Sequence, residues 1–558
     1  MSDLVNYDQL KGRVKKETVS MLTRDGVRLD ADVYRPEAEG EFPVLLMRQP
    51  YGRAIASTVV YAHPSWYAAH GYIVVIQDVR GRGSSEGKFS LFEREVEDGF
   101  DSVNWVAGLA GSNGLVGMYG FSYQGMTQLY AAATQPAPLK ALCPAMVGYD
   151  LYTDWAYEGG AFCLQANLGW AVQLAAETAR LQDDLMAYQV LYSASGNLPF
   201  HNSSSLFNES LRKYAPNNFY QQWLEYSQPG EYWEKLSPKR LMEDVDLPML
   251  HIGGWFDTFL RGTIHCYKEI ASRASTPQHL VVGPWGHLPW GRKLGIVDYG
   301  VEAASPVDQL QVQWFDQFLK GKETGVLDNP PVCLFEMGSN RWRYFKDWPS
   351  NNQKSYLLTS TGLASLRDDS GRLVDLQRQE IKNSFDIFVH DPWRPVPALG
   401  GHAAIPTGQC DRSVLDCRTD VLTYTSSSLT EDLSLAGEVI VEVFCQADAP
   451  SFDLSAVLSE VHGNSSVYNL TQGYWRVNPG QNTNPLAIKL QPTCIRIAKG
   501  NALRLSLSAA CFPAYPVNPG TGKAAGETNL MDARIITLAI SCGTDFPSQV
   551  LLPVVREL

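Results

Sequence analysis

The sequence lacks any apolar run that approaches the roughly 20 residues needed to span a bilayer. Its opening segment (MSDLVNYDQLKGRVKKETVS) also lacks the apolar core and cleavage pattern of a signal peptide. The ten cysteines are scattered, with no C-x-x-C pair and no metal-ligand spacing, which is typical of reduced and mostly buried thiols. We therefore expect a cytoplasmic protein with no membrane partner and no structural metal site.

A surplus of basic residues is absent as well, because the formal net charge is −13. Binding to nucleic acid requires a basic face, so we expect no nucleic-acid partner. At 558 residues the chain is too long for one hydrophobic core, and two to four structural units are expected. The sequence does not fix the oligomeric state, and a homo-oligomer stays open.

The pattern of apolar residues divides the chain into three zones. Continuous apolar runs alternate with helical stretches in residues 1–146 and again in 242–350, which predicts an α/β class with a parallel sheet covered on both faces. Residues 147–241 are rich in Ala, Leu, Gln and aromatics and predict an inserted helical cap. Residues 351–558 hold short β-rich runs separated by turn residues, which predicts a C-terminal β-sandwich, plausibly a jelly roll.

The stretch GLVGMYGFSYQGMTQLYAAA (114–133) carries the strongest chemical signal. An apolar strand runs into Ser122 and a helix follows at once, as a nucleophile elbow requires. The helix start offers backbone N–H groups to a developing anion. Gln124 stands where the general G-x-S-x-G pattern has its final glycine, and Gly125 follows one position later. Taken alone, a serine between glycines is more often an ordinary strand-to-helix turn than a nucleophile.

Chain order supplies an acid and a base for the serine. Asp257 comes directly after the strand in HIGGWFD, and His287 comes just after the strand in LVVGPWGH. In α/β-hydrolases the acid and then the base follow the serine, each just past a later strand. Ser122, Asp257 and His287 are therefore the predicted catalytic triad of an α/β-hydrolase core.

Each triad residue has a plain structural alternative. Asp257 could be a helix-capping carboxylate and His287 a satisfied core histidine. His251 and His265 are rival bases, but one lies inside a predicted strand and the other on a predicted helix. In the catalytic interpretation, His287 takes the serine proton and Asp257 fixes the tautomer of the imidazole ring.

A tetrahedral oxyanion also needs fixed donors. The backbone N–H of Tyr123, directly after the serine, is the first predicted donor. The segment RQPYGR (48–53) lies after an early strand and offers the phenol of Tyr51 as a second. From the residues alone, Tyr51 is either this donor or an ordinary packed aromatic.

These segments resemble the CocE/NonD hydrolases, a group of esterases, X-Pro dipeptidyl-peptidases and α-amino-acid ester hydrolases. The resemblance runs over nearly the whole chain and in the order of the family. It rests on RQPYGR (48–53), GYIVVIQDVRGRGSSEGKF (71–89), SNGLVGMYGFSYQG (112–125), GGWFD (253–257), GPWGH (283–287), WFDQFLKG (314–321), DPWRPVPALGG (391–401), DVLTYTS (420–426) and ALRLSLSAACFPAYPVNPGTG (502–522).

The resemblance implies an α/β-hydrolase core, an inserted helical cap and a C-terminal jelly roll. It also implies that G-x-S-Y-x-G is the elbow and that Tyr51 is the second oxyanion donor.

Amino-acid ester hydrolases of the group bind the substrate ammonium with acidic residues, some of them directly after the triad aspartate. Here Thr258, Phe259 and Leu260 follow Asp257, so this anchor is missing. We instead expect an aromatic pocket formed by Trp155, Tyr157, Phe162, Phe256 and Trp285.

The predicted function is hydrolysis of a small-molecule ester or amide through an acyl-serine intermediate, without a metal or organic cofactor. X-Pro dipeptidyl-peptidase and amino-acid ester hydrolase activities are alternatives; the larger peptidases of the group have an additional N-terminal domain, which favours esters or simple amides here. Acyl transfer to an acceptor other than water uses the same triad. A third alternative, of another class, is a catalytically inactive binding protein, since the jelly-roll fold does not fix function.

Overall fold

The computed structural model describes residues 14–54, 58–198, 200, 206, 208–349, 353–375, 382–481, 484–523, 528 and 530–555. A mixed sheet organises the first part of the chain. Its ten strands have the order β1-β2-β4-β3-β5-β6-β9-β10-β13-β14. Within this order, each pair of neighbouring strands from β4 to β13 is parallel. The strands are β1 (Val14–Leu22), β2 (Arg28–Pro36), β3 (Phe42–Gln49), β4 (Ile73–Asp78), β5 (Ser112–Phe121), β6 (Leu139–Ala145), β9 (Met249–Phe256), β10 (Gln278–Gly286), β13 (Val332–Glu336) and β14 (Arg341–Phe345).

Both faces of this sheet are covered, which explains its continuous apolar strands. Alternate residues of β3 enter different cores: Val44 and Leu46 pack on one face, and Leu45 and Met47 on the other. The helices that accompany the sheet are α1 (Pro64–Ala69), α2 (Glu95–Ala107), α3 (Tyr123–Ala132), α10 (Leu260–Ala271) and α11 (Val307–Leu319).

A helical segment lies between β6 and β9. It opens with a π-helical turn (Tyr152–Ala156) and the short hairpin β7 (Tyr157–Glu158) and β8 (Ala161–Phe162). The helices are α4 (Leu164–Leu181), α5 (Leu185–Gly196), α6 (Glu209–Tyr214), α7 (Phe219–Glu225), α8 (Glu231–Leu236) and α9 (Pro238–Leu241). Within the described ranges, no helix combines the length and apolarity that crossing a membrane would require.

The last third of the chain is β-rich. Its main sheet has the order β17-β26-β20-β27-β15-β16-β18-β25-β21-β22, with β23 paired to β20, and a separate pair joins β19 and β24. The strands are β15 (Gln353–Thr359), β16 (Arg372–Asp375), β17 (Ser384–His390), β18 (Val421–Ser426), β19 (Leu433–Gly437), β20 (Ile440–Ala447), β21 (Phe452–Val461), β22 (Val467–Val477), β23 (Leu486–Lys489), β24 (Thr493–Ile497), β25 (Ala502–Ser508), β26 (Ile536–Cys542) and β27 (Gln549–Pro553). Two further strands, β11 (Lys293–Leu294) and β12 (Val297–Asp298), form a small hairpin, and α12 spans Ser413–Asp416.

The β-rich domain packs against the mixed sheet through a shared apolar core. Leu280 of β10 and Leu334 of β13 belong to the same buried cluster as Leu435 of β19 and Ile495 of β24. Burial of apolar area is the main favourable term in such packing, so the two parts stabilise each other. This contact also brings loops of the C-terminal domain to the edge of the sheet where β9 and β10 end.

Candidate active site

The turn between β5 and α3 holds Ser122 in a strained backbone conformation. Its φ is 59°, in the left-handed region that non-glycine residues rarely adopt. Two glycines make the turn sterically possible. A Cβ on Gly120 would lie 2.5 Å from Cβ of Gln124, and a Cβ on Gly125 would lie 2.5 Å from Cγ1 of Val147 and 2.7 Å from the carbonyl of Ala145. The close approach falls at Gly125, which explains why the second glycine stands one position later than in the general pattern.

Tyr123 begins helix α3, and its backbone N–H belongs to the first turn, where helical partners are missing. Its side chain points away from this N–H into the core. The phenol donates to Oε1 of Glu95 at 2.7 Å, and Glu95 also forms an ion pair with Arg48. This buried network fixes the start of α3, where the Tyr123 N–H has no helical partner.

His287 and Asp257 lie side by side at the ends of β10 and β9. Nδ1 of His287 and Oδ1 of Asp257 are 2.8 Å apart. A carboxylate only accepts hydrogen bonds, so Nδ1 is the donor in this contact, which leaves Nε2 on the other side of the ring. The carboxylate is fully buried, whereas the imidazole is partly exposed. This pair therefore places an oriented imidazole in the cavity that Ser122 also lines.

The RQPY segment ends β3 and is held by its own polar side chains. Arg48 reaches Glu95, as described above. Gln49 donates from Nε2 to Asp78 at 2.9 Å and accepts the backbone N–H of Tyr51 at 2.8 Å. Each polar residue of the motif thus fixes the loop that presents Tyr51.

The phenol of Tyr51 faces Ser122. Nε1 of Trp170, on α4, donates to the Tyr51 oxygen at 3.1 Å, and Tyr51 and Ser122 line the same cavity. Burial raises the pKa of Tyr51 to about 12, against the opposing effects of Trp170, Arg82 and Ser122. The phenol therefore keeps its proton at neutral pH and can donate it in a hydrogen bond.

A cavity of about 550 Å³ opens above these groups. A volume of this order accommodates a small organic ligand. Its walls come from the core, from helix α4 and from the loop 402–407 of the C-terminal domain. The lining includes Tyr51, Phe121, Ser122, Trp155, Asn167, Trp170, Thr258, Phe259, His287, Leu288, His402, Ala404, Ile405 and Thr407.

The structure brings together only part of the predicted aromatic pocket. Trp155 lines the cavity, and its ring packs 4.0 Å from that of Phe259. Tyr157 and Phe162 instead face a separate small cavity against the C-terminal domain, because β7 turns them away from the serine. Phe256 is a buried core residue, and Trp285 is buried with its indole donating to the carbonyl of Ala303 at 2.9 Å. The structure thus places these four predicted pocket residues outside the lining of the cavity that contains Ser122.

The rival histidines lie away from Ser122. His251 is fully buried within β9 and contacts Gln278 at 3.1 Å, and burial lowers its pKa to about 4. His265 lies on α10 and pairs with Asp154 at 3.0 Å. Of the histidines considered from the sequence, His287 is the one that lines the cavity.

Two residues at the cavity were not found from the sequence. Trp170 contacts Tyr51 although 119 residues separate them, and no spacing links the two positions. His402 reaches the cavity from the C-terminal domain. Its Nε2 lies 3.0 Å from Oε2 of Glu158, which also binds Arg261 at 2.6 Å. A charge network at a domain contact has no local sequence signature.

Comparison with known proteins identifies both halves of the chain. A family model described as X-Pro dipeptidyl-peptidase (S15 family) matches residues 25–289, and one described as X-Pro dipeptidyl-peptidase C-terminal non-catalytic domain matches residues 324–551. Cocaine esterase from Rhodococcus sp. (strain MB1 Bresler) is 29% identical over 563 residues, covering 96% of this chain and 97% of the esterase.

Solved structures share the whole architecture. The aminopeptidase from the marine sediment archaeon Thaumarchaeota archaeon superposes with a TM-score of 0.81 and 21% identity, over 98% of this chain and 97% of its own. An α-amino acid ester hydrolase gives a TM-score of 0.77 and 22% identity, with all of both chains covered. These matches confirm the predicted α/β-hydrolase fold with a β-rich C-terminal domain. The two family models describe the two domains of S15-type X-Pro dipeptidyl-peptidases and together span most of the chain, so the protein is a serine hydrolase with S15-family domains.

Proposed function

We propose that the protein hydrolyses small, uncharged carboxylic esters, and amides of the same kind, through an acyl-serine intermediate. The observation that carries the proposal is the convergence of Ser122, His287 and Tyr51 on one cavity, with His287 oriented by Asp257 at 2.8 Å. A nucleophile, an oriented base and an oxyanion donor within one cavity are the parts that acyl transfer requires.

In the proposed mechanism, Oγ of Ser122 attacks the substrate carbonyl carbon while Nε2 of His287 accepts the serine proton. Asp257 stabilises the imidazolium that forms. The carbonyl oxygen becomes an oxyanion that accepts hydrogen bonds from the Tyr51 phenol and the Tyr123 N–H. His287 then returns the proton to the leaving group. Water, activated by the same imidazole, attacks the acyl-serine and releases the carboxylic acid and free Ser122.

The charge of the cavity favours an uncharged substrate. Among the described residues that line it, none is an aspartate or glutamate. Glu158 is a buried carboxylate that contacts the cavity residue His402, but its charge is already paired with Arg261 and His402. A substrate ammonium would lose its hydration without gaining a counter-charge. Amino-acid esters and X-Pro dipeptides, which carry such an ammonium, are therefore the disfavoured alternatives.

The test is an initial-rate panel on the wild type and Ser122→Ala. It includes p-nitrophenyl esters of increasing acyl length, an aryl benzoate, an α-amino ester and a Gly-Pro anilide. We expect turnover of the neutral esters and a fall of roughly 10⁶ in the mutant. Preference for the amino ester or the anilide would contradict the assignment of an uncharged substrate.

Two readouts address the remaining alternatives. Adding a short alcohol or amine to the assay and measuring the new ester or amide reports acyl transfer. Labelling with a fluorophosphonate probe reports a reactive serine independently of the substrate. An unlabelled Ser122 together with no turnover on any ester would favour the inactive binding protein.

A further inference from the structure

A second cavity of about 740 Å³ adjoins the cavity of the proposed active site. The two share five lining residues: Tyr51, Gln165, Gly169, Gln173 and Ile405. Residues common to both walls mark the boundary between the cavities. The boundary includes Tyr51, the proposed oxyanion donor, so the second cavity begins beside the reacting carbonyl.

One face of helix α4 forms much of this boundary. Gln165, Gly169 and Gln173 are spaced four residues apart and therefore lie in a row along the helix. Gly169 is in the middle of the row. It is the position at which the boundary has no side chain.

The fold itself does not require a glycine at this position. Gly169 has an ordinary helical backbone inside α4, where alanine has the higher helix propensity. A Cβ built there meets only Cδ1 of Leu198, at 3.6 Å, which is a normal van der Waals contact. Gly120, by contrast, could not carry a Cβ without a clash at 2.5 Å. The packing of α4 therefore leaves room for a side chain at Gly169, and the glycine leaves the wall shared by the two cavities without one at this position.

The second cavity is mixed in character and has no unbalanced charge on its described walls. Tyr188 and Tyr192 of α5 contribute rings whose centroids are 5.5 Å apart, and Ser195 and Asn197 contribute polar groups. Its carboxylate, Glu177, is bound by Arg180 through hydrogen bonds of 2.7 and 2.8 Å. Such walls suit a neutral group with both apolar and hydrogen-bonding parts.

We propose that this second cavity is a substrate compartment, entered past Gly169, which takes a neutral and partly polar extension of the ester whose carbonyl lies at Ser122. The proposal rests on the hydrolase function proposed above. It assigns to the protein a two-part substrate, with one group in the cavity of the triad and a longer group beyond Gly169. Gly169 acts as a residue that determines specificity and takes no part in the chemical step.

The test uses Gly169→Ala and Gly169→Leu with two series of neutral esters. In one series p-nitrophenyl esters carry an oligoether tail of increasing length on the acyl group. In the other, acetates carry the same tails on the alcohol. The measured quantity is the ratio of kcat/KM for the longest ester to that for the shortest. The series that responds shows which side of the ester enters the compartment.

We expect Gly169→Leu to lower this ratio by about ten-fold in one of the two series, and Gly169→Ala to lower it less. The melting temperature of Gly169→Ala should equal or exceed that of the wild type, because alanine favours the helix. Thr178→Ala is the matched control on the same helix, since its hydroxyl bonds to the carbonyl of Leu174 at 2.9 Å and Thr178 lines neither cavity. It should leave the ratio unchanged.

A ratio that stays at the wild-type value in both series for Gly169→Leu would overturn the compartment. So would a parallel fall on short and long esters, which would assign Gly169 a role in supporting Tyr51 instead. Failure of the proposed function has a different signature: the wild type would not turn over the shortest ester, or Ser122→Ala would retain the rate.

Discussion

Nε2 of Gln491, in the C-terminal domain, donates to the main-chain carbonyl of Asp257 at 3.0 Å. The same amide nitrogen donates to the carbonyl of Trp255 at 2.9 Å. Gln491 is almost fully buried, so these bonds are shielded from water. The C-terminal domain thus fixes the backbone of the loop that carries the proposed catalytic acid. A domain whose matching family model is described as non-catalytic therefore contributes to the geometry of the site.

Removing this amide should weaken catalysis more than substrate binding. In Gln491→Leu the loop loses both hydrogen bonds, and small displacements of an oriented acid are costly for the chemical step. We expect kcat to fall by about 10–100-fold with KM nearly unchanged. Steady-state kinetics on the preferred ester measure this split. Gln549→Leu is the control, because that amide donates to Glu442 at 2.7 Å within the same domain. An equal loss in both variants would mean that the effect is one of domain stability.

Tyr51→Phe should lower kcat by something on the order of 10²–10³, since it removes one oxyanion donor while keeping the ring. The hydroxyl that this change removes accepts a hydrogen bond from Trp170 at 3.1 Å. The melting temperature of the variant provides the comparison. If kcat falls only as far as the loss of folded protein at the assay temperature explains, Tyr51 is a packing residue.

Trp170→Phe tests whether the indole N–H positions the phenol. The indole only donates, so the Tyr51 oxygen must accept this bond and its own proton is directed elsewhere. We expect kcat to fall by about ten-fold, less than in Tyr51→Phe, because the donor remains but is less well oriented. In the double variant, the second substitution should add almost nothing. Additive losses would instead mean that Trp170 acts through contact with the substrate.

Glu158 of the cap pairs with Arg261 of the core and His402 of the C-terminal domain, and its ionisation should make the free energy of unfolding depend on pH. Burial raises its pKa, but Arg261 and His402 outweigh this effect and hold the pKa at about 2. Because the pKa of Glu158 is lower in the folded protein than the unfolded value near 4.5, its ionised carboxylate stabilises the fold at pH values above 4.5. This contribution to the free energy of unfolding is lost as the pH falls toward 2. Glu158→Gln should therefore cost about 3 kcal/mol at pH 7.

The measurement is thermal unfolding of wild type and Glu158→Gln at pH 7, 4 and 3. The difference in melting temperature should shrink as the pH is lowered through the window between 4.5 and 2. Glu231→Gln is the control, since Glu231 is exposed and pairs with Lys235 at 2.7 Å. An exposed pair contributes little. A difference that stays constant with pH would show that the carboxylate is not ionised in the native protein.

The sequence predicted the parts of this protein that depend on local patterns. Apolar runs of strand length and the Ser122 elbow each follow from residues adjacent in the chain. Asp257 and His287 could be placed at one edge because parallel strands end on the same side of a sheet, and the structure does bring them within 2.8 Å. Their catalytic roles stay predictions.

The walls of the cavity could not be predicted in the same way. Tyr157 and Phe162 were expected there because they are aromatic and near the start of the cap, but the direction of the short hairpin β7–β8 decides where they point. Trp170 and His402 reach the cavity through tertiary contacts with no fixed spacing. The tilt of α4 and the docking of the C-terminal domain are set by packing over the whole molecule.

The anchoring of the acid loop by Gln491 also sets an order of events during synthesis. A ribosome completes Ser122, Asp257 and His287 long before it reaches the loop 402–407 and Gln491, the latter roughly 200 residues after His287. At bacterial and eukaryotic elongation speeds this interval lasts about 10–40 s. During this interval the nascent chain contains all three residues of the predicted triad. It still lacks the loop 402–407, which forms one wall of the cavity, and Gln491, which holds the loop of Asp257. We therefore expect a chain that ends before the loop 402–407 to have lower hydrolase activity than the full chain, because its cavity lacks one wall and its acid loop lacks the Gln491 hydrogen bonds.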